Sequence, residues 1–106
     1  MRVEPIEDYV VLAVPADTVV DEQMLAGLTA KAQAQILGQY RKPPRALLVE
    51  PIDWLITSDP AEVERHQPAH DCAACRAGND RARAFLAEFP DRRVALGNLR
   101  YTEVWT

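Results

Sequence analysis

The chain has 106 residues, a hydrophobic fraction of 48%, a charged fraction of 26% and a formal net charge of −4, which predicts one domain over residues 1–106 with one core. No apolar run approaches the roughly 20 residues that cross a bilayer, and the first residues lack a signal-peptide pattern, so a cytoplasmic protein without membrane association is expected. The lack of a basic cluster argues against nucleic acid as the main partner. Abundant alanine, and far more arginine than lysine, indicate the codon usage of a high-GC bacterium or phage.

The N-terminal part of the chain predicts a strand followed by a helix. Tyr9–Val14 is a continuous apolar run rich in β-branched residues, as is typical of a buried central strand. Residues 21–40 are dominated by Ala, Gln, Leu and Met, with acidic residues at the start and apolar residues at helical spacing. Gly38 and the pair Pro43-Pro44 end this predicted helix.

The middle of the chain predicts one or two further strands and a short helix. Arg45–Glu50 reads as a short apolar strand that Pro51 breaks, and residues 52–57 form either a third strand or a loop packed by a tryptophan. Ser58-Asp59-Pro60 has the pattern of a helix start, with a capping side chain and proline at the first helical position. This short helix would deliver His66 at its end.

The C-terminal part predicts the clearest helix in the chain and then a pair of strands. Gly78-Asn79-Asp80 would supply a turn and a cap, and apolar residues within 82–89 recur at i, i+3, i+4 and i+7. Residues 93–96 predict a strand and Gly97-Asn98 suits a two-residue hairpin turn. The alternation over residues 99–105 is that of a final edge strand.

These elements together predict an α+β fold. A ferredoxin-like two-layer sandwich fits them best, with about four strands, two main helices on one face, and a His/Cys loop inserted before the second helix. A small open α/β sheet is the alternative architecture.

Both histidines and both cysteines of the protein fall within ten positions, residues 66–75. Cys72 and Cys75 have the C-x2-C spacing that lets two thiolates face one ion. Thiolate sulfur and imidazole nitrogen are the ligands that zinc prefers. The sequence therefore predicts a structural zinc site whose candidate ligands are His66, His70, Cys72 and Cys75.

The same loop permits other interpretations. A C-x2-C pair at a helix N-terminus has a lowered thiol pKa, which suits a dithiol oxidoreductase. A metal-assisted hydrolase would use three of the four ligands and keep the fourth position open. In a further interpretation the cysteines are simply buried and the histidines solvated. The nearby carboxylates Glu50, Asp53 and Asp59 are interpreted as solvated turn residues.

The segment His70–Ala77, followed by Arg81–Leu86, resembles the zinc-binding helix of zinc-containing anti-sigma factors. In that family a histidine, three residues and C-x2-C lead into a helix rich in Ala, Arg and Leu. Here one residue separates His70 from Cys72 and five separate His66 from Cys72. That family's domain is all-helical, whereas the first half of this chain predicts strand, helix, strand. The resemblance therefore implies shared zinc-loop chemistry and not homology.

No nucleotide-binding, serine-hydrolase or H-E-x-x-H motif is present. This favours a small interaction or regulatory protein in which the zinc loop positions a surface, with the enzymes above as the alternative. The C-terminal segment carries Leu99, Tyr101, Val104 and Trp105, a heavy apolar load for a solvated edge. A homodimer, or a protein partner that covers this edge strand, is therefore expected. The alternative is that these residues complete the core from one face of the sheet.

Overall fold

The structure is a computed structural model that describes residues 5–68 and 72–105. Its elements, in chain order, are β1 (Ile6–Pro15), α1 (Glu22–Leu37), β2 (Ala46–Thr57), α2 (Pro60–Arg65), α3 (Ala73–Glu88) and β3 (Arg92–Val104). None of these helices is long and apolar enough to cross a membrane. The predicted caps of the short helix are confirmed, since the Asp59 side chain accepts the backbone N–H of Ala61 and Pro60 begins α2.

The three strands form one antiparallel sheet in the order β1-β3-β2. β3 pairs with β1 from Pro15↔Arg92 to Ile6↔Tyr101, and it pairs with β2 along nearly its whole length. Because β1 and β2 are each antiparallel to β3, they run parallel to one another on either side of it. The predicted α+β class and the predicted pairing of the C-terminal segment into the sheet are confirmed.

The C-terminal strand is central, and the predicted hairpin at Gly97-Asn98 is wrong. β3 runs unbroken through both residues, so that Gly97 pairs with Val10 on one side and Trp54 on the other. A Cβ built on Gly97 would lie 2.7 Å from Cε3 and Cη2 of Trp54, and closer still to Cζ3. The glycine therefore makes room for an indole. The prediction that the C-terminal segment is an edge strand is also wrong, because β1 and β2 pair with both edges of β3. A homodimer or a protein partner stays a prediction, without an edge of β3 to cover.

Two predicted strands are joined in β2. Pro51 does not break the strand, because the register shifts between Pro51 and Asp53 and the chain continues past an irregularity of the β-bulge type. β2 is an edge strand, where a proline is tolerated because only one side of the strand takes part in ladder hydrogen bonds. The described residues thus contain three strands, and the four-strand ferredoxin-like layout is not confirmed.

Helices cover both faces of the sheet, so the prediction of two layers is wrong. α1 and α3 pack in different hydrophobic clusters, and adjacent strand residues such as Val94 and Ala95 are divided between them because strand side chains alternate. The sequence agrees with this arrangement. Val94, Ala95 and Leu96 are consecutive apolar residues, so both faces of β3 are apolar there, as in a strand that is buried on both faces. The buried helical residues are Leu28, Ala32 and Ile36 of α1, Val63 of α2, and Cys75, Gly78, Ala82 and Leu86 of α3.

Candidate functional site

Helix α3 begins at the cysteine pair and not at the predicted turn Gly78-Asn79-Asp80. Cys72 is the N-cap residue, with φ −133° and ψ 168°, and its sulfur accepts the backbone N–H of Cys75 at 3.4 Å. Gly78 lies inside the helix, where an added Cβ would be 3.4 Å from Cγ2 of Val11. The absence of a side chain lets α3 lie close to β1. In the sequence, a glycine that is required for such packing cannot be distinguished from a glycine in a turn.

The two thiols lie in direct contact. Their Sγ atoms are 3.3 Å apart, and no disulfide joins them. Cys72 is half-buried, whereas Cys75 is only 7% exposed and packs in the cluster beneath α3. Burial, and next the hydrogen bond with Cys72, raise the pKa of the Cys75 thiol to about 11. The shift of the Cys75 pKa is thus opposite to the lowered thiol pKa expected at a helix N-terminus, because desolvation by burial outweighs the backbone hydrogen bond that lowers it.

We expect the two thiols to react at different rates with iodoacetamide. The thiolate is the reactive form, and raising the pKa from 9.0 to about 11 lowers the thiolate fraction of Cys75 about a hundredfold at neutral pH. Peptide-resolved mass spectrometry should find Cys72 alkylated first, with the rate at Cys75 rising about tenfold for each pH unit up to pH 11. In urea the two rates should become equal, and equal rates in the folded protein would contradict this assignment.

The His66 side chain contacts two residues of the sheet, Tyr9 and Asp53. It caps the C-terminal end of α2, and its ring stacks on Tyr9 with centroids 5.7 Å apart and planes 21° apart. Nδ1 lies 3.1 Å from the Tyr9 hydroxyl, and Nε2 lies 3.7 Å from Oδ1 of Asp53. Both ring nitrogens therefore already face a polar group. Asp53, interpreted from sequence as a solvated turn residue, is part of this contact.

Two asparagines complete what we call the polar cluster, which consists of Tyr9, Asp53, His66, Asn79 and Asn98. Asn79 Oδ1 accepts a hydrogen bond from the Tyr9 hydroxyl at 2.5 Å, and Asn79 Nδ2 donates one to the His66 carbonyl oxygen at 3.2 Å. Asn98, which is 3% exposed, donates Nδ2 to Asp53 at 2.9 Å and to the Gln67 carbonyl at 3.2 Å. Sequence reasoning missed both asparagines by placing them in turns. A helix drawn from Cys72 would have put Asn79 on the same face as Cys75.

The hydrogen bonds of the polar cluster fix where its protons lie. Because Asn79 donates Nδ2 to His66, its Oδ1 must accept, and the single Tyr9 proton goes there. The contact between Tyr9 and His66 is then satisfied when Nδ1 of His66 carries a proton and donates it. Burial, followed by the charges of Asp53 and Cys75, raises the pKa of Tyr9. The phenol therefore remains a neutral donor throughout the physiological pH range.

Of the four predicted zinc ligands, the structure brings Cys72 and Cys75 together and directs His66 to Tyr9 and Asp53. His70 lies outside the described residues. Within residues 5–68 and 72–105, no group of three or more His, Cys, Asp or Glu side chains could hold a metal ion. The zinc site therefore stays a prediction.

A cleft of about 240 Å³ opens beside the polar cluster. It is smaller than the roughly 300–1,000 Å³ typical of cofactor and drug-sized ligand sites. Its size suits a side chain of a partner or a small molecule. The cleft is lined by Glu64, His66, Gln67, Pro68, Arg76 and Asn79.

No protein-family model, curated protein sequence or solved structure matches this chain. Function therefore has to be inferred from the chemistry of the cysteine pair and the polar cluster.

Proposed function

We propose that the protein is a small cytoplasmic regulatory or interaction protein whose Cys72–Cys75 pair switches between a dithiol and a disulfide. The observation that carries the proposal is the 3.3 Å separation of the two sulfurs at the start of α3. In a disulfide the two sulfurs lie about 2.05 Å apart, so they would have to move closer by little more than an ångström. The bond forms between the two cysteines alone and requires no further ligand. In a reducing compartment such a pair serves reversible oxidation and not permanent cross-linking.

The different burial of the two cysteines suggests an order of reaction. Cys72, the more exposed residue, loses its proton and attacks a disulfide of a partner protein or low-molecular-weight compound. One partner thiolate leaves, and a mixed disulfide remains on Cys72. Cys75 then loses its proton and attacks the Cys72 sulfur, which releases the second partner thiolate. Two electrons pass from the protein dithiol to the partner disulfide, and the two thiolates take up the two protons.

Equilibration in buffers of reduced and oxidised glutathione tests this proposal. We expect both thiols to disappear together as the buffer becomes more oxidising, with a mass loss of two hydrogens and no bound glutathione. Cys75→Ser should instead accumulate one glutathione on Cys72, because the resolving thiol is absent. Cys72→Ser is the matched control and should gain little, since Cys75 is buried. Persistence of two thiols in wild-type protein at every ratio would remove the proposal.

Zinc held by the two thiolates is the second candidate, and the contact between the sulfurs favours it as well. Two sulfurs at 2.3 Å from a tetrahedral zinc ion lie about 3.8 Å apart, so the pair would open by only about half an ångström. His66 would have to leave Tyr9 and Asp53 to join them, and His70, water or a partner would supply the rest. Elemental analysis separates the candidates: one zinc ion per chain, lost in Cys72→Ser or Cys75→Ser, would favour zinc.

A further inference from the structure

Tyr9 lies between the two parts of the chain that carry the cysteines. The segment that leads to Cys72 starts at His66, whereas Cys75 sits on α3 one turn before Asn79. The Tyr9 hydroxyl contacts His66 at Nδ1 and Asn79 at Oδ1. The ring of Tyr9 is buried in the same hydrophobic cluster as Cys75, with Cys72 packed against that cluster. The Tyr9 side chain of β1 thus contacts one residue that precedes the cysteine pair in the chain and one that follows it.

We infer that Tyr9 is a positioning residue for the cysteine pair: its hydroxyl joins His66, which precedes the pair in the chain, to Asn79 on the helix that carries Cys75, and so favours closure of the disulfide. This inference rests on the dithiol function proposed above. Tyr9, which is remote from the cysteines in sequence, would then increase the equilibrium constant for disulfide formation.

The physical reason lies in the conformation of Cys72. Cys72 is the N-cap residue, and its extended φ and ψ place its sulfur over the first turn of α3, where it accepts the backbone N–H of Cys75. His66, six residues before Cys72, is held where its ring meets Tyr9 and its carbonyl accepts Nδ2 of Asn79. If the Tyr9 hydroxyl is removed, His66 and Asn79 lose the group that joins them, the start of α3 is held less tightly against Tyr9, and the Cys72 sulfur spends less time within reach of Cys75. The effective concentration of one thiol at the other falls, which disfavours the disulfide.

Tyr9→Phe tests the inference because it keeps the ring and its stacking on His66 while removing the hydroxyl. We expect the equilibrium constant for disulfide formation against glutathione to fall about tenfold, which makes the reduction potential about 30 mV less negative. Tyr101→Phe is the matched control. Tyr101 is also a buried tyrosine, but it packs in the cluster on the opposite face of the sheet. Its removal should leave the equilibrium constant unchanged.

A second variant separates positioning from a general loss of stability. Asn79→Ala removes the acceptor of the Tyr9 hydroxyl and suits a helix interior. If Tyr9 and Asn79 act as one unit, the double variant should lower the equilibrium constant no more than Asn79→Ala alone, which also removes the Nδ2 donor to the His66 carbonyl, so that the effects are strongly non-additive. A folded Tyr9→Phe protein with the wild-type equilibrium constant, or additive effects in the double variant, would overturn the inference. Failure of wild-type protein to form the disulfide would instead overturn the proposed function, and the inference with it.

Discussion

A chain that ends at Asn98 should not fold. The missing residues include Leu99, which is fully buried, and Tyr101, which is 8% exposed. Their loss also removes the partners of Ile6–Asp8 in β1 and of Ala46–Pro51 in β2, because β3 supplies them all. Each large buried side chain contributes about 1.5–3 kcal/mol, and the strand pairs add more, against a total stability of about 5–15 kcal/mol. We expect the far-ultraviolet circular dichroism spectrum of an unfolded chain.

A chain that ends at Val104 is the matched control. It keeps every pair in the sheet and loses only residues beyond β3, of which Trp105 is half-exposed. Its cooperative urea transition should remain, with a midpoint close to that of the full chain. If the chain ending at Asn98 showed the same cooperative transition, the central position of β3 would be wrong.

Local patterns predicted the elements that depend on neighbours in sequence. The apolar run at Tyr9–Val14 lies within β1, and the helical spacing over residues 21–40 corresponds to α1, Glu22–Leu37. Both signals arise within a few residues, where strand and helix geometry fix which side chains share a face. The element types in these two segments were therefore predictable, apart from the exact ends.

Two glycines caused the main errors in the predicted fold. Gly78 and Gly97 were assigned to turns, yet each lies inside a regular element next to a neighbour from another part of the chain. Glycine serves tight turns and close approaches equally well, and only the tertiary neighbour tells them apart. The length of β3, and with it the strand order, depended on that distinction.

The candidate site was predictable only in part, for the same reason. The clustering of His and Cys in sequence pointed to Cys72 and Cys75, which the structure brings into contact. Tyr9 and Asn79 are 70 residues apart in sequence, and Asp53 and Asn98 are 45 apart. Such contacts depend on the strand order, which local patterns did not predict. The direction of the Cys75 pKa shift also depends on burial beneath α3, which is a tertiary property.

Gly97→Ala should destabilise the protein by about 1–2 kcal/mol. A strand glycine is normally a weakness, and alanine there would gain about 0.5–1 kcal/mol from reduced chain entropy. At this position the added methyl would overlap three ring carbons of Trp54, and overpacking of this kind costs about 1–3 kcal/mol. Trp54 cannot swing away without cost, because it packs against the two hydrophobic clusters beneath α1. The steric term therefore exceeds the entropic gain, and the urea midpoint should fall.

The same substitution at Gly27 is the control, and its sign should be opposite. Gly27 lies in the interior of α1, and nothing is within 4 Å of an added Cβ. Gly27→Ala should therefore stabilise the protein by about 0.5–1 kcal/mol. Trp54→Leu replaces the indole that lies against Gly97 by a smaller side chain. In this background Gly97→Ala should be nearly neutral. That non-additivity in urea unfolding assigns the cost to the contact between the methyl and the indole. Additive losses would show that Gly97 is required for its backbone conformation and not for the space it leaves.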